Sequence, residues 1–421
     1  MKTIFFLLLA ALFVMAIPAH AIKVSYNYDA AGRMTAVNYD GTSRTAFVYD
    51  KNGSLLSRTN TETPQLAASP HLAGTYNGLI TNLTPHAGNT GIITLKLLAN
   101  GTFTGKLTVQ GAAFSFAGKF KGDGSLDPMH IIIPRKAPLL NYLLSLTLDV
   151  QSGVPAISGT ITGDFQTVVF NSNIAMQQDL YSGGVNLLGS GFVGKYTLLL
   201  QPTENTAGIP QSSGYATVVV TAKGGITLAG KLANNIAITQ GTQLIGMNTW
   251  PVYVPLHTNF GYIAGNVSFF VPGDDHLSGE LDWLKPATTS AGTFHSGAFS
   301  TELDILGSLY LPPAAGQRAM DLAPISPNAV FNAQAGNLAA PLTRNVTLET
   351  TNKFTTPVDA AALKLTLTAA TGFITGVFKD TPTSSRNLSG VLIQPDKAAA
   401  GFFIGGATES GAFGIEAPSA P

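Results

Sequence analysis

Apolar and polar residues alternate with a period of two along much of this chain, and short clusters of turn-forming residues interrupt the alternation. Ile93, Leu95 and Leu97 alternate with Thr94 and Lys96. After Asn100-Gly101, Phe103, Gly105, Leu107 and Val109 alternate with Thr102, Thr104, Lys106 and Thr108. A third run sets Phe114, Phe116, Gly118 and Phe120 against Ser115, Ala117, Lys119 and Lys121. Three successive strands with one apolar face predict an antiparallel meander over a core. Asn-Gly suits the first hairpin because both residues accept positive φ.

A glycine flanked at two-residue distance by apolar side chains recurs in this setting. The copies centre on Gly105, Gly159 (Ile157, Ile161), Gly230 (Leu228, Leu232), Gly279 (Leu277, Leu281) and Gly376 (Ile374, Phe378). Each follows a turn cluster such as Ser152-Gly153 or Lys223-Gly224-Gly225. An inward glycine weakens a strand, so a sharp bend or a neighbour crossing its Cα must require it. Bends repeated at one place in each hairpin favour closure, which removes edge strands that a charge-poor chain would otherwise have to protect. The expected class is all-β, with antiparallel meander hairpins forming two or three small barrel-like or sandwich units, barrels being preferred. A transmembrane barrel would turn its apolar face outward between aromatic girdles. An irregular connector, a Pro/Ala-rich end and only two tryptophans argue against it. Spacings of 49 to 97 residues between the glycine hairpins do not fit a β-helix.

The order of motifs divides the chain. Lys2, the apolar run Ile4 to Ile17 and Ala19-His20-Ala21 read as a signal peptide over 1–21, with the mature chain expected to begin at Ile22. Cysteine is absent, which excludes a lipid-bearing N-terminal cysteine, and no second long apolar run predicts a transmembrane helix. Leu72-Ala73-Gly74-Thr75-Tyr76 matches Phe192-Val193-Gly194-Lys195-Tyr196, with glycine hairpins following in the same order. Two homologous β units are therefore expected at 71–190 and 191–310. A connector at 311–343 follows, then a third β unit at 344–415 (or final strands completing the second), and a tail at 416–421.

Residues 22–58 carry a different repeat, followed by a linker at 59–70 rich in Thr, Pro and Ser. Tyr28-Asp29-Ala30-Ala31-Gly32-Arg33-Met34 returns as Tyr49-Asp50-Lys51-Asn52-Gly53-Ser54-Leu55, with a partial copy at Tyr39-Asp40-Gly41. This segment resembles the YD-repeat (RHS) family, in which such units form successive hairpins and many copies coil into a hollow shell around cargo. Two units cannot close a shell, so the resemblance implies the hairpin without the container. The β body, through Gly-x-Tyr at its entry strands, Leu281-Asp282-Trp283-Leu284-Lys285-Pro286 and Gly401-Phe402-Phe403-Ile404-Gly405, resembles uncharacterised modules repeated in large exported proteins of environmental Gram-negative bacteria. The last stretch, through Glu409, Gly411 and Phe413, is also similar to the terminal strands of lipoprotein barrels that bind host proteins.

Charged residues are 11% of the chain, against a usual share of about 25%. There is no basic patch of the kind nucleic acid needs. His71, His86, His130, His257, His276 and His295 show no metal-ligand spacing, and no nucleophile motif occurs. Asp274-Asp275-His276 is the densest ionisable cluster and reads as a polar turn before a weak metal site. Gly122 to Asp127 reads as a tight turn, because it lacks the alternating acids of a calcium loop. Glu280 and Asp282 alternate on one strand face, where two carboxylates point into solvent together instead of across a cleft. Trp250, Tyr253 and Trp283 are the candidate ligand-binding residues, since such rings stack on sugars; core packing competes with that role. No catalytic residue and no cofactor are expected. The expected function is that of a non-catalytic, exported structural or adhesive protein of the surface or matrix. The alternatives are a barrel holding a glycan or small ligand in its mouth and, behind it, a secreted hydrolase. The partner classes are glycan or another surface protein.

Overall fold

The alternation becomes strand after strand, and among the described residues there is no α-helix. The computed structural model describes residues 24–39, 43–62, 70–151, 153–181, 191–270, 276–288, 295–381, 383–405 and 409–418. The segment expected to be a signal peptide (1–21) and most of the expected linker (63–69) lie outside them. Two compact units divide between Ala68 and Ser69.

The first unit is a four-stranded antiparallel meander of β1 (Val24–Tyr28), β2 (Met34–Tyr39), β3 (Ser43–Tyr49) and β4 (Leu55–Glu62). Its two complete YD units fold into the same turn. The Asp29 carboxylate accepts the N–H groups of Ala31 and Arg33, both at 2.9 Å. Asp50 accepts those of Asn52 and Ser54 at 2.9 and 2.8 Å. Gly32 and Gly53 take φ of 76° and 88°, which explains a glycine three residues after each aspartate. Arg33 lies 5.2 Å from the Tyr49 ring, and the Tyr49 hydroxyl donates to the Met34 carbonyl at 3.0 Å, joining one copy to the next.

The second unit contains three successive antiparallel sheets, each curled into a nearly closed barrel. The first barrel comprises β5 (Gly74–Thr81), β6 (Gly91–Leu97), β7 (Thr102–Val109), β8 (Ala112–Phe120), β9 (Leu126–Asp127), β10 (Ile131–Ile133), β11 (Tyr142–Leu148), β12 (Ala156–Phe165) and β13 (Val168–Gln178). The second comprises β14 (Gly194–Pro202), β15 (Gly214–Val220), β16 (Gly225–Lys231), β17 (Ala237–Gln243), β18 (Thr249–Leu256), β19 (Gly261–Phe269), β20 (His276–Lys285) and β21 (Phe299–Leu309). The third comprises β22 (Ala329–Ala335), β23 (Leu342–Leu348), β24 (Phe354–Thr355), β25 (Lys364–Thr368), β26 (Phe373–Thr381), β27 (Ser384–Ile393), β28 (Ala398–Ile404) and β29 (Ser410–Glu416). In every barrel the first strand pairs antiparallel with the last: β5 with β13, β14 with β21, β22 with β29. The opposite seam is thinner. Single bridges, Ser125 to Thr147 and Lys353 to Thr366, draw it together in the first and third barrels. In the second barrel the Gln240 amide donates to the Pro251 and Tyr253 carbonyls.

Two boundaries differ from expectation, the first being the linker expected from residue 59, where β4 continues to Glu62. The third barrel begins at Ala329, inside the stretch expected to be a connector, and its strands close on each other without completing the second barrel. Its first strand buries Ala329, Phe331 and Ala333, and two alanines in three inward positions give little apolar signal.

Each barrel packs an apolar face inside, the reverse of a membrane barrel, with Thr94, Lys96, Thr104 and Lys106 outside the first and buried outward apolar side chains of other strands gathered at contacts between barrels. In the second barrel one contiguous core draws side chains from all eight strands, among them Leu198, Val218, Leu228, Ile238, Ile263 and Leu303. Phe331, Phe378, Phe403 and Phe413 fill the third, with ring centroids 5.1–6.2 Å apart. The inward glycines mark close crossings. A Cβ on Gly230 would lie 2.2 Å from the Tyr215 carbonyl oxygen on the neighbouring strand, and one on Gly105 would lie 2.2 Å from the Phe116 ring.

Candidate functional site

Trp250 and Trp283 are 1% and 0% exposed inside the second barrel, where Trp283 packs edge-on against Phe299 at 4.8 Å. Neither indole N–H has an acceptor among the described residues. Tyr253 stands three residues from Trp250 on β18, so the two-residue period sends it to the opposite, outer face. There it packs on Tyr262 and Ala264 and against Leu79 and Ala87 of the first barrel. Its hydroxyl accepts the Gln110 N–H at 3.1 Å, and burial pushes the phenol up to about 12. The three rings expected to form a sugar platform thus divide between a barrel core and a barrel–barrel seam, and a platform needs them on one open face. Asp274 and Asp275 lie outside the described residues, as does the side chain of His276. Asp123 accepts the N–H and hydroxyl of its turn neighbour Ser125 at 2.9 and 2.6 Å. Glu280 and Asp282 stand on the outer face of β20, opposite Asp304 and Glu302 of β21. Partial burial, and then the Glu302 charge, hold the Asp282 carboxyl above its ordinary range.

The chemistry-bearing side chains that do come together lie at the seams between barrels. At the first seam a cleft of about 350 Å³ opens between His86, Phe165, Phe260, Phe299 and Pro286. His86 stacks on Phe165 at 5.0 Å, and burial lowers its imidazole pKa. Lys285, 1% exposed, turns its ammonium onto the Pro286 and Gly297 carbonyls at 3.0 and 3.1 Å and the Thr288 hydroxyl at 3.5 Å. Its three donors are thereby occupied.

The second seam joins Leu199 and Tyr215 of the second barrel to Val391, Ile393 and Phe402 of the third. Beside this apolar contact runs a buried polar line. His295 Nδ1 lies 3.2 Å from the Gly208 carbonyl, which fixes the proton there. Its Nε2 accepts the Ser410 N–H at 3.3 Å and meets the Ser410 hydroxyl at 3.2 Å, and that hydroxyl meets Ser212 at 3.2 Å. Burial lowers the His295 pKa, with a smaller opposing effect from the Gly208 carbonyl and Glu409. The arrangement resembles a serine–histidine pair; Ser410 and Ser212 are 2% and 3% exposed, and Ser212 lies in the wall of the cleft above it.

Over this line lies a polar cleft of about 360 Å³, with Gln201, Asn205, Gln211 and Ser213 on the second barrel and Gln334 and Ala412 on the third. A second cleft of about 460 Å³ continues along the outer face of the third barrel between Asn332, Thr343 and Glu416. The two clefts share Gln334, Ala400, Ala412 and Phe413, so they form one groove.

No family model and no curated protein matches this chain. Among solved structures it is similar to the vaccine antigen transferrin binding protein B from Haemophilus parasuis Hp5. That likeness has 10% identity and a TM-score of 0.20, and covers 94% of this chain and 84% of that one. A protein of unknown function from the DUF3598 family of Nostoc punctiforme PCC 73102 is similar at 11% identity and a TM-score of 0.18, covering 59% of this chain and all of that one. The architecture of this chain is read from its own strand order.

Sequence reasoning missed the groove because its walls lie more than 120 positions apart. One local signal was present. Ala398, Ala400, Ala412 and Gly414 occupy outward positions of β28 and β29, where the first barrel carries Thr and Lys.

Proposed function

We propose that this chain is a non-catalytic, exported adhesive protein whose barrels are packed scaffolds and whose recognition surfaces lie outside them, at the seams. The observation that carries this reading is the filled second barrel, in which all eight strands feed one core around Trp250 and Trp283. A ligand in the barrel mouth would have to displace that core, so the seams, which hold exposed amides and aromatic rings, support recognition better. Ligand sites occur preferentially at such junctions between packed bodies. The YD unit, with two complete copies, acts as a docking hairpin and encloses nothing.

Beads coated with the purified chain, starting at Ile22, should be retained on polysaccharide or cell-envelope surfaces without releasing soluble product. Release of reducing sugar or of an ester product would overturn the non-catalytic reading, and failure to be retained on any such surface would overturn the adhesive one.

A further inference from the structure

The groove across the second seam has a chemistry that selects its occupant. We infer that it binds a neutral linear glycan, an assignment that rests on the adhesive reading above and names its ligand class. A pyranose presents a rim of hydroxyls, each both donor and acceptor, around two apolar C–H faces. Amide side chains match that rim, because each offers a carbonyl acceptor and two N–H donors in one plane. Gln201, Asn205 and Gln334 are exposed at the groove, and their amides make no hydrogen bond to another described residue. Gln211 is already oriented: its Nε2 donates to the Ile209 and Thr206 carbonyls at 2.9 and 3.2 Å, so both its N–H donors are engaged and its carbonyl oxygen is the group it offers a ligand. Asn332 is held at both ends, its carbonyl oxygen accepting from the Thr343 hydroxyl at 2.9 Å and its amide nitrogen donating to the Glu416 carboxylate at 3.5 Å.

Between these walls the floor is Ala398, Ala400, Ala412 and Gly414, flat enough for a sugar face to approach the sheet. A Cβ on Gly414 would meet nothing nearer than the Ala399 carbonyl at 4.0 Å, so the space above it is open. Each cleft alone lies near the lower end of the usual ligand-pocket range of about 300–1,000 Å³. Their shared residues make a trough longer than either, which suits a polymer threaded along it more than a single sugar. Charge decides the rest. Among the described residues the groove is lined by the carboxylates of Glu204 and Glu416 and by no Lys or Arg, so an acidic polysaccharide is repelled.

Calorimetric titration of the full mature chain with short neutral oligosaccharides of the glucan, mannan and chitin types, and with polygalacturonate oligomers, tests the assignment. The expected result is binding to a neutral series with affinity rising with oligomer length and none to polygalacturonate. Gln334→Ala combined with Gln201→Ala should weaken it about tenfold, the loss of one or two net hydrogen bonds. Gly414→Leu should block the longer oligomers while leaving the unfolding midpoint unchanged, because its side chain enters open space. Undiminished binding in both variants would overturn the groove, and preference for polygalacturonate would overturn the ligand class. Retention of coated beads on a protein surface, with no oligosaccharide bound, would overturn the glycan assignment and leave the adhesive reading standing.

Discussion

Replacing Gly230 with valine sets a β-branched side chain against a carbonyl that has no room to move. The new Cβ would lie 2.2 Å from the Tyr215 oxygen and 2.6 Å from the Ala216 Cβ. Relieving the contact requires β15 and β16 to separate by about 1 Å, which stretches the ladder bonds on either side past useful length. Two weakened bonds at about 0.5–1.5 kcal/mol each, added to an overpacking penalty of about 1–3 kcal/mol, give a loss of about 3 kcal/mol. Gly105→Val should lose less, about 1–2 kcal/mol, because the obstacle is the Phe116 ring, which can turn more easily than a backbone. Gly241→Val is the internal control: it lies on the adjacent strand β17 with nothing within 4 Å of its new Cβ. It should leave stability unchanged or raise it by up to about 1 kcal/mol. The assay is built into the protein, since both tryptophans lie in the core of the second barrel and their fluorescence follows that barrel. At an m-value of about 1–3 kcal/mol/M, Gly230→Val should lower the fluorescence midpoint in urea by about 1–3 M. An unchanged midpoint, or an equal fall in Gly241→Val, would refute the claim that inward glycines exist to let backbone cross.

Asp164→Ala should destabilise the first barrel by about 3–5 kcal/mol, because it strands the Arg135 guanidinium, whose side chain is 5% exposed. Circular dichroism in urea reads the loss, and adding Arg135→Met should recover most of it. Burial and the Lys285 charge push His257 down to about 4, below its ordinary 6.5, so the folded chain favours the neutral ring. That contribution is complete above about pH 6.5 and is lost as pH falls from there toward 4. His257→Asn, which tolerates the positive φ of 50° at this position, should flatten the fall in the urea midpoint over that range, and an unchanged slope would show that the ring does not titrate there. Deleting residues 22–64 should leave the tryptophan transition at the same urea concentration, since the barrels belong to a separate compact unit; a lowered or broadened transition would show that the YD meander supports them.

Much of the β architecture was legible because the two-residue period is strong where bulky side chains carry it. Ile93, Leu95 and Leu97, then Phe103 and Leu107, take the faces their spacing dictates. The period fades where alanine does the inward packing, as at Ala329 and Ala333, and there the first strand of the third barrel was hidden among prolines, serines and asparagines. Trp250 and Tyr253 show a different failure. Their chemical similarity invited a shared role, while their odd separation along β18 already assigned them to opposite faces. The groove has no local signature at all on its second-barrel wall, since Gln201 and Gln334 are brought together only by the docking of two completed barrels.

The pairing of first strand with last has a consequence for how the chain acquires its structure. Tyr76 finds its partner in Gln178, and Pro202 finds its partner in Leu303, each about 100 positions downstream. At a synthesis rate of about 5–20 residues per second, the leading strand of each barrel waits several seconds for the strand that covers it. Contacts of such long sequence separation form slowly. The delay keeps every barrel an open ribbon until its last hairpin emerges. Until then the ribbon carries two unpaired edges, its first strand and its newest one, and both are open to pairing with another chain.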